Sequence, residues 1–392
     1  MQAGRATLAA GNSAFGEQLR DEDFELFRRE IPAGRVVAGY DDGRPVGLAA
    51  SIAFELTIPG GAVPTAGITW VGVLPTHRRR GLLSGCMCRQ LEDLHERGEP
   101  LAALWASEPV IYGRFGYGLA TVQASLDALR AGFAFRDDPG PVGSVRLVEV
   151  DEARQAFPRV YERIRVAQVG MLSRSEARWN TRLSDPEHWR DGAGPKFFAL
   201  LEIDGEPEGY AMYRIASKWE QGVPQGVVRT LEALATSPVA TRELWRFLFG
   251  IDLVARVKTW RFDPASPLFL MLADARRLNL TISDGLWLRL VDVGDALRRR
   301  SYAGEGSVVL SVADAFCPWN EGRYRAGGDA GPTDDPADLR LAVADLASAY
   351  LGAFDFEQLA AAERVQELVP GALARASALF RTSSPPFCPE EF

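Results

Sequence analysis

The chain has 392 residues, too many for one ordinary core, which predicts two or three domains. Hydrophobic residues make up 47% and charged residues 24%, the balance of a globular protein rather than a disordered or fibrous one. Fifty-two acidic against 44 basic residues give a net charge of −8, which argues against broad phosphate-backbone binding and favours cationic small molecules or exposed lysines as partners.

Met1 to Phe15 lacks a charged segment followed by an apolar one, and no later stretch is long and apolar enough for a membrane helix. A soluble cytoplasmic protein with no membrane or nucleic-acid partner is expected. Cys86, Cys88, Cys317 and Cys388, with His77, His95 and His188, are too few and too scattered for a zinc site, so no metal is expected.

In chain order, two strands are predicted at Arg35 to Tyr40 and Val46 to Leu56, joined by Asp41-Asp42-Gly43-Arg44. Pro59-Gly60-Gly61 turns the chain into a strand at Ala66 to Leu74, where alternation buries at least one face, and Pro75 ends it. Leu83, Met87, Leu91 and Leu94 then recur at helical spacing between Leu82 and Arg97, with Gly98 as the stop. A short strand follows at Leu101 to Ala106. Ser107-Glu108-Pro109 opens a short helix that Gly116 ends.

A second α/β region runs from about Ser144 to Thr281, with strands at Phe197 to Glu202, Tyr210 to Ile215, Val227 to Ala233 and Val257 to Trp260 and a helix near Arg242 to Ile251. A third begins near Asp284 and is predicted to hold strands Gly285 to Val291 and Ser307 to Val312, a linker Gly327 to Pro336, and a helical end from Ala337 to Phe380. Read alone, Arg381 to Phe392 is a proline-rich, acidic tail.

The most informative segment is Val71-Gly72-Val73-Leu74-Pro75-Thr76-His77-Arg78-Arg79-Arg80-Gly81-Leu82-Leu83. A strand, a basic turn and a helix start suit a pyrophosphate. Backbone N–H groups of residues 79–84 would point outward at a helix N-terminus that favours anions, and Gly81 would allow close approach. Arg78, Arg79 and Arg80 would add charge. Three arginines before a glycine also fit a plain solvated loop.

Val73, Pro75, Arg78 and Gly81 meet the Val-x-Pro-x-x-Arg-x-x-Gly signature of the GNAT N-acetyltransferase superfamily, which this segment resembles. Leu83 departs from the Gly or Ala common there. The wider pattern of Thr-His-Arg-Arg-Arg-Gly-Leu-Leu, Ile-Tyr-Gly-Arg-Phe-Gly-Tyr-Gly, Asp-Gly-Leu-Trp-Leu-Arg-Leu and a terminal Glu-Phe resembles the Eis family of actinobacterial acetyltransferases over nearly the whole chain. That resemblance implies an α/β (α+β) architecture: a catalytic GNAT domain at 1–143, a second GNAT-like domain at 144–283, and a sterol-carrier-like α/β domain at 284–392 whose C-terminus reaches the active site. It also implies acetyl-CoA as co-substrate, a homohexamer, and acetylation of primary amines of a cationic polyamine such as an aminoglycoside, or of lysines.

Carried over by position, the resemblance makes Tyr112 the general acid and the carboxylate of Phe392 the general base. The cofactor would lie on Val71, Gly72, Val73, Arg78, Arg79, Arg80, Gly81, Leu82, Leu83 and Ser84, with Ser107 and Glu108. The amine would meet Phe15, Glu17, Phe27 and Glu391. The chemistry is coherent on its own terms. A tyrosine of ordinary pKa near 10 is protonated at neutral pH and can donate to a departing thiolate, whereas a carboxylate near 3.5 needs burial or a water relay to serve as base.

Alternatives stay open at this level. Tyr112 could simply pack under Phe115, with Tyr117 as a nearby competitor, and Phe392 could be a frayed end. Glu390 and Glu391 would draw cations or merely solubilise the tail. The middle region has no Arg-x-x-Gly loop, so it is expected to keep the fold without the cofactor site. Only fourteen residues precede Phe15, so the opening strand and helix of the first domain are expected to be truncated, or replaced by a short strand at Ala3 to Ala10. A non-catalytic lipid- or small-molecule-binding module on the same scaffold is the competing function.

Overall fold

Strands β1 (Val36–Asp41) and β2 (Arg44–Ile58) form a hairpin through Asp42 and Gly43, whose φ angles of 45° and 73° give the turn the hand that matches strand twist. β2 pairs antiparallel along nearly all of β3 (Gly61–Val73). β3 pairs in parallel with β4 (Leu101–Trp105) at three positions only, Thr65 with Leu101, Ala66 with Ala102 and Gly67 with Ala103. Past Gly67 the two strands part. This is a computed structural model, and it describes residues 2–14, 16 and 18–392, without the side chains of residues 2–4 and 12.

The chain forms two units. The first holds residues 1–121, 169–177 and 285–392, and the second holds residues 122–168 and 178–284. In the first unit, helix α1 (Gln2–Ala14) occupies the segment expected to supply a substitute strand. Its Ala, Leu and Arg content favours a helix, and Gly11 lies against Leu48 of β2 so closely that an added Cβ would sit 2.7 Å from that side chain. Helix α2 (Asp21–Glu30) follows. Helix α3 (Leu82–Glu96) packs Met87, Leu91 and Leu94 into the core, the stripe its spacing predicts.

Leu286–Leu290, expected to open the third region, instead fills the gap in the first sheet between β4 and β5 (Gly118–Leu119). A separate five-stranded sheet runs 331–332, 322–326, 308–313, 339–342, 365–367. Two of its strands, Leu339–Ala342 and Val365–Glu367, interrupt what reads as one helical end, leaving helices Val343–Tyr350, Phe356–Ala361 and Ala372–Phe380. Buried Arg300 ties these together: Nε donates to the Tyr350 carbonyl at 2.8 Å and Nη2 to the Phe380 carbonyl at 2.5 Å, a cation on two helix C-termini. Burial pulls its pKa down to about 10.

The tail is a correction. Pro386 to Glu390 are buried, and the Phe387 N–H donates to the Val169 carbonyl at 2.9 Å.

In the second unit a seven-stranded sheet carries strands 281–284, 122–129, 254–262, 226–235, 206–216, 197–203 and 144–148 in spatial order. Only Gly226–Ala235 and Val254–Phe262 run parallel, again pairing over a short stretch. Helix Pro238–Gly250 follows the first of them, with Ser237 capping it by accepting from the Ala240 N–H at 3.2 Å.

Candidate active site

Where β3 leaves β4 its free edge is shaped by a bulge. Thr69 pairs with Ala50 but Gly72 pairs with Leu48, so one extra residue stands opposite Ala49, and Trp70 takes a left-handed φ of 53°. Such a bulge re-aims the N–H and C=O groups of Val71 to Val73. Because Val71–Val73 pair with β2 on one side and part from β4 on the other, their second edge is open to an extended ligand.

Beyond Pro75 the backbone turns left-handed at Arg79 (φ 62°) and again at Gly81 (φ 82°), the pattern that gathers N–H groups into an anion-binding concavity. Gly81 begins α3, and no side chain caps that helix end, in contrast to the Ser237 cap. Arg78 reaches back to the carbonyls of Val73 and Ala14, each at 3.4 Å. A cavity of about 550 Å³ opens here.

Of the predicted cofactor residues, Val71, Gly72, Val73, Arg78, Arg79, Gly81, Leu82, Leu83, Ser84, Ser107 and Glu108 line the cavity. Arg80 does not; it lies 4.0 Å from the Asp41 carboxylate, which also holds His77 Nε2 at 2.9 Å. Sequence reasoning passed over His77, Ile111 and Arg114, which share the lining. Their signal was sequence proximity to the basic loop and to Tyr112.

Tyr112 reaches this cavity from a four-residue helix, α4 (Pro109–Tyr112), whose proline fixes its start. A 3-10 turn continues to Phe115, and Gly116 at φ 80° stops it. The ring is 7% exposed. Burial, with the Glu108 carboxylate adding to it, pushes its pKa up to about 12.

Phe392 lies on the opposite face of the same sheet. Its half-buried ring packs at 5.1 Å on Phe54 and touches Gly67, where an added Cβ would meet it at 2.9 Å. Tyr112 belongs to the core of Ala66 and Ile68, and alternation along β3 puts Gly67 on the other side. Phe392 thus sits at the apex where β3 and β4 diverge.

The tail is held by a short segment from mid-sequence. Gly170 and Met171 pair with Thr57 of β2. Gly170, at φ 97°, lets the Phe387 backbone pass so close that an added Cβ would lie 2.9 Å from its carbonyl oxygen. The Arg174 guanidinium pairs with the Glu390 carboxylate, both side chains fully buried. Glu390 is therefore a structural anion and not a solvent-facing lure for cations, while Glu391 is exposed. Phe27 is half-buried with its ring edge-on to Trp70 at 5.1 Å. Phe15 and Glu17 lie outside the described residues.

Comparison with known proteins decides the family. Acetyltransferase (GNAT) domain models match residues 5–120 and 170–290, and a sterol carrier protein domain matches residues 293–389. The N-acetyltransferase Eis of Mycobacterium tuberculosis is 37% identical, with 97% of this chain and 95% of that protein covered. The chain belongs to the Eis family of GNAT N-acetyltransferases. An uncharacterized N-acetyltransferase of Streptomyces avermitilis is 43% identical over 95% of this chain and 92% of its own length. The crystal structure of Eis1 from Mycobacterium abscessus superposes with a TM-score of 0.88 at 32% identity, covering 100% of this chain and 98% of that one. This Eis-family chain is thus an acetyl-CoA-dependent N-acetyltransferase with two GNAT domains followed by a sterol-carrier-like domain. Among its described residues no helix is long and apolar enough to cross a membrane, and no group of three or more His, Cys, Asp or Glu could hold a metal.

Proposed function

We propose that the parting of β3 from β4 is the active site, where acetyl passes directly from acetyl-CoA to a primary amine of a cationic polyamine, an aminoglycoside or a lysine side chain. The observation that carries this reading is the divergence after Gly67, with the cavity of Tyr112 on one face and Phe392 at the apex on the other. Donor and acceptor can then approach from opposite faces of one sheet.

The uncapped start of α3, the left-handed turns at Arg79 and Gly81, and the charge of Arg78 and Arg79 fit a pyrophosphate. The open edge at Val71–Val73 fits a pantetheine arm as an added strand. Ser107 and Glu108 complete this wall. The amine nitrogen attacks the thioester carbon, the new C–N bond forms, and the C–S bond breaks as the Tyr112 O–H gives its proton to sulfur. The carboxylate of Phe392 takes the proton that the amine sheds. Holding the attacking group and the acid in one geometry supplies much of the rate.

The acidic balance of the chain, the exposed Glu391 and the Phe27–Trp70 pair support a cationic acceptor. The same proposal leaves the second unit without a cofactor site: its helix start is capped by Ser237, so those N–H groups are not all free for phosphate. A homohexamer in the cytoplasm is carried by family membership, and light scattering on the purified chain tests the assembly.

Thiol release from acetyl-CoA, measured over aminoglycosides, diamines and lysine peptides, tests the substrate class. Turnover with the polyamines is expected. The pH dependence tests the acid. With Tyr112 held at about pKa 12 by burial and Glu108, the hydroxyl stays protonated across the working range. The expected kcat/KM therefore climbs as the acceptor amine deprotonates and does not fall before about pH 10. A falling limb below pH 9 in an enzyme that remains folded contradicts Tyr112 as the acid.

A further inference from the structure

We propose that Asp41, at the end of β1, is a positioning residue for the cofactor: through His77 it holds the turn at Arg78 and Arg79 in the shape that presents N–H groups to a pyrophosphate before one arrives. The inference rests on the reading of that turn as the pyrophosphate site.

An aspartate on the rim of an anion site repels the ligand, so its charge alone works against binding. Its contacts give the reason it stands there. Asp41 Oδ2 lies 2.9 Å from His77 Nε2 and 4.0 Å from Arg80 Nη1. His77 Nδ1 lies 2.8 Å from Thr76 Oγ1. An ionised carboxylate only accepts, so Nε2 donates to Asp41, and in the neutral ring Nδ1 accepts from the Thr76 hydroxyl. With both nitrogens engaged, the imidazole is held in one orientation on the cavity wall. The His77 side chain is 19% exposed and that of Arg80 61%, so the bond to His77 carries the clamp and the pairing with Arg80 adds little.

Asp41 is itself held. It pairs with Arg44 across the tight hairpin turn of Asp42 and Gly43. Two residues earlier, Gly39 lies against the first turn of α3, where an added Cβ would sit 3.3 Å from the Leu82 side chain. The end of β1 thus braces both the turn and the helix start that frame the cavity.

The turn needs a brace. Arg79 has a left-handed φ of 62°, a conformation that is costly for a residue with a Cβ and persists where its surroundings enforce it. Arg78 reaches back to the Val73 and Ala14 carbonyls only at 3.4 Å. His77, two residues before Arg79, is fixed more tightly, by its N–H on the Leu74 carbonyl at 2.8 Å and by its ring on Asp41. Donors fixed before the ligand arrives lower the cost of binding. Clamp and charge therefore predict opposite signs: losing the charge alone strengthens acetyl-CoA binding, and losing the clamp weakens it.

The test compares Asp41→Ala and Asp41→Asn with wild type. Asparagine keeps an oxygen that accepts from His77 and drops the charge. KM and kcat are measured with acetyl-CoA and with S-acetylpantetheine, which lacks the pyrophosphate, beside the melting temperature. We expect Asp41→Ala to raise KM for acetyl-CoA roughly 5- to 30-fold, with kcat, KM for the amine, the S-acetylpantetheine kinetics and the melting temperature retained. Asp41→Asn is expected to keep KM for acetyl-CoA at or below the wild-type value. His77→Ala is expected to match Asp41→Ala, and the double variant to be no worse than either. An Asp41→Ala enzyme with an unchanged or lowered KM for acetyl-CoA overturns this inference alone. So does a KM raised equally for S-acetylpantetheine, or a double variant in which the two effects add. A melting temperature lowered in both Asp41→Ala and His77→Ala assigns the pair to folding and also overturns it. A wild-type enzyme that uses S-acetylpantetheine as well as acetyl-CoA overturns the pyrophosphate reading itself, and this inference with it.

Discussion

Tyr112→Phe is expected to lower kcat by about 10²- to 10⁴-fold, the range that a positioned general acid supplies, while acetyl-CoA binding stays close to wild type. The two effects separate because they draw on different atoms. In the proposed site, cofactor affinity draws on the open edge of β3, the uncapped start of α3 and the basic turn, none of which involves the phenolic oxygen. The ring itself is 7% exposed and packs in the core of Met87, Leu91 and Phe115, so phenylalanine fills the same space and the fold is retained. Calorimetric titration with acetyl-CoA, run beside thiol release, reads both quantities. A Tyr112→Phe enzyme that turns over normally removes the hydroxyl from the mechanism, and one that fails to bind acetyl-CoA shows that the ring shapes the cofactor site.

The second large effect belongs to Arg174→Met. Arg174 and Glu390 are both fully buried and paired, and breaking such a pair leaves a carboxylate without its compensating charge, at a cost of roughly 3–5 kcal/mol. The strain falls on the tail, because Glu390 lies two residues before Phe392, beside the backbone pairing at Phe387, the close passage over Gly170 and the packing of Phe392 on Phe54. The expected result is a lower melting temperature, cleavage near Arg381 by trypsin, and loss of turnover. Replacing both partners, Arg174→Met with Glu390→Leu, removes the stranded charge, and stability is expected to return. An Arg174→Met protein with an unchanged melting temperature and a protected tail contradicts this account of how the tail is seated.

The strand, turn and helix of the proposed cofactor end were legible because their signals are local. A strand ending in proline, an arginine turn with glycine, and a helical stripe of Leu83, Met87, Leu91 and Leu94 lie within thirty residues, and the backbone there follows those residues directly. Pro109 and Gly116 framed the short helix of Tyr112 for the same reason. What the sequence concealed depends on distant partners. Leu286–Leu290 reads as the first strand of a new region, yet its neighbours in the sheet are β4 and β5, far earlier in the chain. Arg289, between Leu288 and Leu290 on that strand, is wholly buried and paired with Asp314, 25 positions later. Pro386 to Glu390 look like a solvated tail, and only the pairing with Val169 and Arg174 more than 200 positions away buries them. Leu339–Ala342 and Val365–Glu367 hide in Ala- and Leu-rich sequence that favours helix, where sheet pairing overrides propensity.

The seating of the tail also changes how the base should be tested. Removing residues 388–392 would strip Glu390 from Arg174 and confound chemistry with folding. Removing Phe392 alone leaves that buried pair in place and takes away the residue whose ring packs at the apex of the cleft, together with the carboxylate proposed as base. Thiol release from acetyl-CoA with a polyamine acceptor, compared between the full chain and the chain lacking only Phe392, is therefore the most direct measurement. Turnover falling by at least about 10²-fold, with acetyl-CoA affinity and melting temperature retained, is the predicted result. Undiminished turnover would contradict the assignment of the base and the two-faced active site built on it.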